Sequence, residues 1–469
     1  MQQTMHHSAT TSTAPVPARR RGSRGVRPMR LARMMIAVLL AVVLPVQQAL
    51  AISLIRDAET ETFLRDISEP VFAAAGLNPQ AVNTYIVNAS SINAFVTGGQ
   101  NVFMHTGTIQ QAETPNEIIG VMAHETGHIT GGHLSRSQEA VATATAPAII
   151  GYLLGIGALF AGAGDAGLAL ITGGQTLAQR TFLSYSRTQE ASADQAALDF
   201  LERTGQSGQG LVSFFDKLAD QEALSERSQD PYVRTHPLSR ERIAALENRV
   251  SQSPFKDAQD PKEWQERLEL VKAKLHGFID RPAVTFRRYP ETDTSKPARY
   301  ARAIAYYKIP NTDRAVQEMN ALIADYPDNA YFHEFKGQIL FESGRAAEAA
   351  DAYAAAERLL PDQPLILVGL GQALLGTGEK AKVTEARATL ERATQIERDY
   401  PTAFRLLAQA YADEGNTAMA ALSTSEQYAA GGRLPEAKQW AERAKRELPQ
   451  GSPAWQRADD ISRIEKPRL

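Results

Sequence analysis

A repeat of 34 residues in the C-terminal part of the chain limits the folds that the chain can adopt. In the unit that leads to Pro361, small and aromatic residues stand at positions 8, 15, 20, 24 and 27, namely Gly337, Gly344, Ala349, Tyr353 and Ala356. Another proline, Pro327, precedes Pro361 by 34 residues. A unit of this length holds one pair of helices, which buries its apolar faces only by stacking on neighbouring pairs.

This spacing is the signature of the tetratricopeptide repeat. It loosens towards Pro401 and Pro449, so we expect about four helix pairs over residues 296–466, with some inserted residues. Stacked helix pairs form a concave groove whose usual role is to hold a peptide or another protein. A merely helical C-terminal bundle is the alternative, and the number of aligned positions disfavours it.

The first 51 residues have the pattern of a secretory signal peptide. Seven arginines and no acidic residue precede an uncharged, mostly apolar run at residues 34–46, and an Ala-Leu-Ala site ends at Ala51. The apolar run is too short to cross a membrane comfortably. Met29 is an alternative start codon, and the run from Arg19 to Arg21 is also compatible with export by the twin-arginine pathway. Either route exports the chain, and we expect cleavage after Ala51 and a location in the periplasm.

The net charge and the absence of cysteine argue against some partners and some kinds of metal site. Removal of the seven arginines from the formal net charge of −3 leaves about −10, which argues against a nucleic-acid partner. The chain has no cysteine, so disulfides cannot stabilise it, and a zinc site must use histidine and carboxylate ligands.

The region after the signal peptide predicts a small antiparallel sheet followed by a helix. Three β-branched and aromatic runs predict its strands, at Tyr85–Val87, Ala94–Val96 and Val102–Met104. Thr114 and Glu117 form a capping box with proline between them, so a helix begins there, and it ends at Gly131-Gly132.

The last turns of this helix carry the sequence H-E-T-G-H. His124 and His128 are four residues apart, so both imidazoles project from one face and can bind one zinc ion. Glu125 lies beside that face, where it can take a proton from a metal-activated water. H-E-x-x-H also occurs by chance in helices, so a third ligand is needed to support the site.

His133 is the first candidate for that ligand, and its position argues against it. The extended pattern H-E-x-x-H-x-x-G-x-x-H requires histidine at residue 134, which is Leu134 here. His133 follows His128 by five residues and points to another side of a continuing helix. We therefore interpret His133 as a structural, hydrogen-bonding residue.

The segment E-A-S-A-D at residues 190–194 is the better candidate. Glu190 can complete the protein ligands and leave one position open for water, as catalytic zinc requires. Asp194, one turn further on, can accept the remaining N–H of a ligating histidine. Two solvated carboxylates on a helix surface are the alternative, but the alanines around them favour close helix packing.

With these motifs the chain resembles the M48 family of zinc metallopeptidases. The resemblance rests on H-E-T-G-H and E-A-S-A-D, with N-A-F-V-T-G-G before them and R-T-H-P-L-S-R-E-R-I after, and it covers residues 52–466. The tetratricopeptide region is similar to that of the periplasmic branch of the family. The resemblance implies a gluzincin domain with one zinc ion per chain, bound by His124, His128 and Glu190. It also implies that Glu125 is the general base and that His133 is not a ligand.

His236 is a further catalytic candidate because it follows the metal motifs in a segment that the family shares. It could stabilise the oxyanion of the tetrahedral intermediate or occupy the open zinc position at rest. Arg234, Arg240 and Arg242 could serve the same oxyanion or a substrate carboxylate, and we favour the histidine.

The sheet is expected to bind substrate. Zinc proteases commonly hold an extended peptide against an edge strand through backbone hydrogen bonds. The candidate edge comprises Asn93, Ala94, Phe95 and Val96. It predicts broad specificity and a preference for unfolded chains.

Residues 140–179 carry a single charge, Asp165, and are rich in alanine and glycine. Residues 140–164 are long and apolar enough to span a bilayer. However, His128 and Glu190 must meet at one zinc ion, and the 14 residues after Asp165 are too few for a return span. We therefore expect a hairpin that packs on the catalytic domain, covers its cleft or rests on a membrane surface.

These observations predict an α+β, mainly helical chain with a zincin-like domain and an all-α solenoid. The expected domains are a signal peptide at 1–51, a metallopeptidase domain at 52–252, a linker with one helix at 253–295, and a tetratricopeptide domain at 296–466. The predicted function is hydrolysis of unfolded or misassembled envelope proteins. The family resemblance adds outer-membrane protein quality control, with assembly machinery as a partner of the groove. The alternative is a periplasmic chaperone or assembly scaffold with a gated or structural zinc site.

Overall fold

The computed structural model describes residues 53–133, 136, 148–151, 153–154, 164–224 and 236–465. The predicted signal peptide and Arg234 lie outside these ranges, as does much of the predicted hairpin. The architecture is α+β and mainly helical, with a helical solenoid in the C-terminal part, as predicted.

The sheet has four strands in the order β1-β2-β4-β3. They are β1 (Leu54–Ile55), β2 (Asn83–Val87), β3 (Ala94–Thr97) and β4 (Asn101–His105). β3 and β4 form an antiparallel hairpin around Gly98 and Gly99, whose φ angles of 58° and 97° suit glycine.

The sheet is mixed rather than wholly antiparallel, because β2 and β4 are parallel. The reason is the path of residues 88–93. These residues carry the chain across the sheet to the position of β3, which runs antiparallel to β2. The turn at Gly98 and Gly99 then reverses the chain again, so β4 lies between β2 and β3 and is parallel to β2. Strand β3 therefore lies at the edge of the sheet.

In the part of the chain that the structure describes, six longer helices with complete bounds precede residue 253. They are α1 (Ala58–Ala74), α2 (Thr106–Gln111), α3 (Pro115–Thr130), α4 (Gly164–Arg203), α5 (Gln209–Leu224) and α6 (Arg240–Gln252). The capping box predicted at the start of α3 is confirmed in part. The half of it made by the cap residue is present, since the Thr114 hydroxyl accepts from the Glu117 N–H at 3.3 Å. The reciprocal bond differs from the prediction, because the Glu117 carboxylate accepts from the N–H of Glu113, the residue before the cap, at 3.0 Å.

Helix α3 is central and is packed closely on two sides. A Cβ atom on Gly127 would lie 2.7 Å from the Ala193 carbonyl oxygen of α4, and one on Gly120 would lie 2.7 Å from the Leu211 nitrogen of α5. These two glycines therefore allow the helix backbones to approach. The close approach places His124 and His128 next to the second half of α4.

The segment predicted as a linker with one helix contains two, α7 (Lys262–Ile279) and α8 (Pro282–Arg288). Helix α7 ends at Ile279 with Asp280 as its C-cap residue, and Pro282 at the first position of α8 begins a new helix after the break. Leu268, Val271 and Leu275 of α7 are buried in the same core as α3. The segment is thus part of the packed structure.

Ten helices follow between residues 296 and 463, which is one pair more than predicted. They are α9 (Lys296–Lys308), α10 (Thr312–Asp325), α11 (Ala330–Glu342), α12 (Ala346–Leu359), α13 (Pro364–Gly376), α14 (Lys380–Ile396), α15 (Pro401–Asp413), α16 (Thr417–Ala430), α17 (Leu434–Glu447) and α18 (Pro453–Arg463). The repeat residues pack as the signature requires. Cβ atoms added to Gly337 and Gly369 would lie 2.7 and 2.4 Å from the Tyr353 ring.

Exposed aliphatic side chains concentrate in the described parts of the predicted hairpin. They are Ile149, Ile150, Leu153, Leu154, Leu168, Leu170 and Leu177. Among the described residues, no helix combines the length and the apolar character needed to cross a membrane.

Replacing Gly127 by alanine is expected to lower the free energy of unfolding by about 1–3 kcal/mol. The added methyl group would meet backbone atoms of Ala193 rather than a movable side chain. Gly173→Ala is the matched control, because the described structure places no atom within 4 Å of its added Cβ. That variant is expected to be neutral or to gain up to about 1 kcal/mol. Urea unfolding measures both, and equal stability would contradict the close approach of α3 and α4.

Candidate metal centre

Four buried side chains converge where α3, α4 and the start of α6 meet. His124, His128, Glu190 and His236 each offer one ligand atom, and these atoms lie within 4.8 Å of one another. The Nε2 atoms of His124 and His128 are 3.1 Å apart. The two Glu190 carboxylate oxygens lie 3.3 Å from His124 Nε2 and 3.4 Å from His128 Nε2. The structure therefore brings together the three predicted ligands.

The opposite edges of the two histidine rings are held by other side chains. Asp194 Oδ1 lies 2.9 Å from His124 Nδ1, and His133 Nδ1 lies 2.9 Å from His128 Nδ1. Both Nε2 atoms are thus left to face Glu190. Asp194 lies beside a candidate ligand, as its spacing predicts, and His133 lies behind His128 rather than at the centre.

Glu125 lies at the same centre and is fully buried. Within the described part of the chain, neither of its carboxylate oxygens has a hydrogen-bond partner. Buried carboxylates are otherwise almost always hydrogen-bonded, so this group is placed for a ligand or a reacting molecule. Two imidazoles and a carboxylate are also the donor set that zinc takes in catalytic sites. The residues therefore fit a zinc ion with a basic group beside it.

The electrostatics of the centre favour a cation. Burial alone would raise the pKa of Glu190, but hydrogen bonds with His124 and His236 hold it well below its usual range. Burial likewise disfavours a charged His124, but Asp194 and Glu190 outweigh it and raise the pKa of His124 to about 10. Burial raises the pKa of Glu125, although His236 and His124 oppose it. A raised pKa makes Glu125 a stronger base than an exposed carboxylate.

Arg242 is engaged with protein carboxylates. Its Nε and Nη2 atoms each lie 2.8 Å from an Asp194 oxygen, and its Nη1 lies 3.1 Å from Glu190 Oε2. Nη1 also donates to the Pro237 carbonyl oxygen at 2.8 Å. The sequence suggested an oxyanion or substrate role for this arginine, and the structure instead assigns its guanidinium to the two carboxylates. Arg240 is exposed at the start of α6.

His236 faces the candidate ligands. Its Nδ1 lies 3.1 Å from Glu190 Oε2 and 3.3 Å from His124 Nε2, and its Nε2 lies 3.5 Å from Glu125 Oε1. This position is compatible with both predicted roles, a fourth ligand and a group that contacts the reacting oxygen.

The four residues of the predicted substrate edge differ in their backbone contacts. The Asn93 N–H donates to the Thr108 hydroxyl at 2.8 Å, and the Asn93 carbonyl accepts from the same hydroxyl at 2.7 Å. The backbone of Asn93 is therefore occupied within the protein. Ala94, Phe95 and Val96 belong to the edge strand β3.

Comparison with known proteins agrees with this geometry. Residues 57–250 match peptidase family M48, and residues 300–364 match a tetratricopeptide repeat. The chain is 28% identical over 391 residues to the beta-barrel assembly-enhancing protease of Escherichia coli (strain K12), an alignment covering 82% of this chain and 78% of that protein. The protein of the same name from Yersinia pestis is 26% identical over 397 residues, covering 82% of this chain and 79% of that protein. The metalloprotease LoiP of Escherichia coli (strain K12) is 30% identical over 188 residues, covering 38% of this chain and 67% of that protein.

Zinc affinity is expected to rise by about tenfold per pH unit between pH 6 and 8. His124 has a raised pKa of about 10 without metal, so it is protonated in this range and must release that proton to bind zinc. Competition with a chromogenic chelator at three pH values measures the slope. A pH-independent affinity would contradict it.

Asp194→Asn is expected to weaken zinc binding by about 10- to 100-fold, because it removes the carboxylate that holds His124. Asp199→Asn is the matched control, since Asp199 lies on the same helix but pairs with Arg249. The same competition assay measures both variants. Equal affinity in the two would exclude a role for Asp194 in orienting His124.

Proposed function

The chain belongs to peptidase family M48 and is a metalloprotease, and from this we propose that it is an exported zinc-dependent endopeptidase that cleaves unfolded or misassembled envelope proteins. The observation that carries the proposal is the buried group of His124, His128 and Glu190 with the unpartnered carboxylate of Glu125 beside it. The proposed peptidase domain spans residues 52–252, and the proposed tetratricopeptide domain spans residues 296–466.

In the proposed mechanism His124, His128 and Glu190 hold one zinc ion. When bound, zinc polarises the scissile carbonyl and lowers the pKa of water. Glu125 accepts a proton from the water that attacks the carbonyl carbon, and it returns a proton to the amide nitrogen as the C–N bond breaks. Asp194 keeps the ring of His124 in one orientation throughout.

His236 is proposed to donate a hydrogen bond to the oxyanion that forms on the carbonyl oxygen. Its distance of 3.5 Å from the Glu125 carboxylate supports this assignment, because both groups then face the same reacting carbonyl. Its distance of 3.3 Å from His124 Nε2 equally suits a resting contact with the metal. Mutation distinguishes the two roles.

The proposed location is the periplasm, and the proposed process is quality control of outer-membrane proteins. The names of the relatives support this, because they are called beta-barrel assembly-enhancing proteases. The solenoid groove would recruit protein substrates or outer-membrane assembly machinery. The exposed aliphatic residues between 149 and 177 support peripheral contact of the 140–179 segment with a membrane surface.

The competing function is a chaperone or assembly scaffold with a gated or structural zinc site. Glu125 argues against it, because a purely structural zinc ion needs no base. Full function of a Glu125→Gln chain, with loss of function on substitutions in the solenoid groove, would favour the scaffold.

Glu125→Gln is expected to lower the rate of casein cleavage by about 10²- to 10⁴-fold while retaining one zinc ion per chain, because only the base is lost. The assay uses the purified mature chain with and without a chelator, and zinc content is measured alongside. Glu247→Gln is the matched control, since Glu247 is exposed on α6. Unchanged cleavage by Glu125→Gln would remove Glu125 from the mechanism.

His236→Ala is expected to lower kcat for casein by about 10²- to 10³-fold if His236 stabilises the oxyanion. His333→Ala, which truncates a half-buried histidine of the solenoid, is the control. Faster cleavage by His236→Ala would instead assign His236 to a resting state that blocks the metal.

A further inference from the structure

Three aromatic rings form a row across the sheet, on the face that points away from α3. The rings of Tyr85 on β2 and Phe103 on β4 stack at a centroid distance of 4.9 Å, and those of Phe103 and Phe95 on β3 stack at 5.1 Å. All three residues are only half-buried. Their strand neighbours Ala94 and Met104 are fully buried on the other face. The row ends at Phe95, on the edge strand.

The pairing of β3 with β4 determines which backbone groups of β3 point away from β4, where the described residues place no further strand. The His105 N–H donates to the Asn93 carbonyl at 2.9 Å, so these two residues form a hydrogen-bonded pair. Hydrogen-bonded and non-hydrogen-bonded pairs alternate along an antiparallel ladder. Phe95 with Phe103 is therefore also a hydrogen-bonded pair, whereas Ala94 and Val96 direct their N–H and C=O groups away from β4.

An extended peptide that adds to this edge in antiparallel orientation would bond to the backbones of Ala94 and Val96. The peptide residue opposite Phe95 then lies in a non-hydrogen-bonded pair, the closer of the two kinds, with a Cα separation of about 4.5 Å. Its side chain projects to the same face as the Phe95 ring. The preceding and following peptide residues project to the other face, towards α3 and the metal centre.

We propose that Phe95 makes this edge strand selective for extended peptides with an aromatic side chain opposite it, so that a substrate ring becomes the fourth member of the row. The inference rests on the proposed function and names its substrate class, which is unfolded segments that carry an aromatic residue at the position opposite Phe95. Phe95 is thereby a specificity-determining residue, and recognition of the remaining peptide is through its backbone.

Stacking geometry explains why an aromatic side chain is preferred over an aliphatic one of similar size. The interplanar angle between Phe95 and Phe103 is 5°, so the face of the Phe95 ring that is turned away from Phe103 is parallel to the other rings of the row. One aromatic pair adds about 2- to 10-fold to an affinity beyond the area that it buries. The effect should appear in KM rather than kcat, because the contact is made equally in the ground state and the transition state.

Peptide binding tests the inference without requiring hydrolysis. The zinc-loaded full chain carrying Glu125→Gln is titrated into two fluorescein-labelled decapeptides of alternating threonine and serine, which differ in one central residue, phenylalanine or leucine. Fluorescence anisotropy is expected to show about 2- to 10-fold tighter binding of the phenylalanine peptide. Added Phe95→Thr should abolish this difference, and threonine keeps the β-strand propensity of the site. Added Phe95→Trp should retain it.

Tyr85→Thr is the matched control, because it removes a ring from the far end of the same row. The preference for phenylalanine should persist in this variant. Equal affinity of the two peptides for the Glu125→Gln chain, including no measurable binding of either, would overturn the inference. Persistence of the preference in the Phe95→Thr variant would overturn it as well.

Cleavage sites provide a second readout in the active chain. Mass spectrometry of unfolded casein fragments is expected to show phenylalanine, tyrosine or tryptophan enriched at one fixed distance from the cleaved bond, and the enrichment should disappear with Phe95→Thr. Absence of chelator-sensitive cleavage by the wild type would contradict the proposed function, and the anisotropy result would still decide the role of Phe95.

Discussion

The candidate metal centre depends on charged and hydrogen-bonding partners that stabilise two buried carboxylates. Glu190 and Asp194 are each only 3% exposed, and burying an unpaired carboxylate costs several kcal/mol. Arg242 bonds to both of them, and His124 lies against both as well. The arginine also holds the Pro237 carbonyl, which fixes the residue that follows His236. One ion network therefore joins α3, α4 and α6 and aligns the candidate ligands before any metal binds.

A second buried charge cluster joins the peptidase part of the chain to the solenoid. Lys274 on α7 lies 2.5 Å from Asp57, 3.5 Å from Glu59 at the start of α1, and 3.6 Å from Glu334 on α11. The Tyr300 hydroxyl of α9 donates to Glu59 at 3.1 Å. Burial raises the pKa of Glu59 to about 7, although Lys274 opposes it. Contacts of this kind resist separation, because removal of one partner leaves a buried charge. The first helices of the solenoid are thus joined to the peptidase part of the chain, and α7 is a structural element rather than a spacer.

The parts of the site that follow from short-range spacing could be predicted from the sequence. His124 and His128 share a helix face because they are four residues apart, and Asp194 follows Glu190 by one turn. The role of Arg242 could not be predicted in this way, because its partner Asp194 lies 48 residues away in the chain. The parallel pairing of β2 with β4 is likewise non-local. The sequence of the strands does not predict this pairing, because the alternation of apolar and polar residues specifies which face of a strand is buried and not the direction of the neighbouring strand.

The edge strand and the buried metal centre together restrict what can be cleaved. His124 and Glu125 are fully buried, so a folded surface cannot reach them, whereas the proposed extended substrate would lie along β3. Backbone recognition of this kind distinguishes unfolded from folded protein but not one sequence from another. Selectivity must then come from side chains beside the strand and from a second binding site. In the proposed function, a partner held by the solenoid would raise the local concentration of its unfolded segments at the edge strand. Because the Lys274 cluster joins α1 and α7 to α11 of the solenoid, a substrate held as proposed by the solenoid would need enough unfolded chain to reach β3.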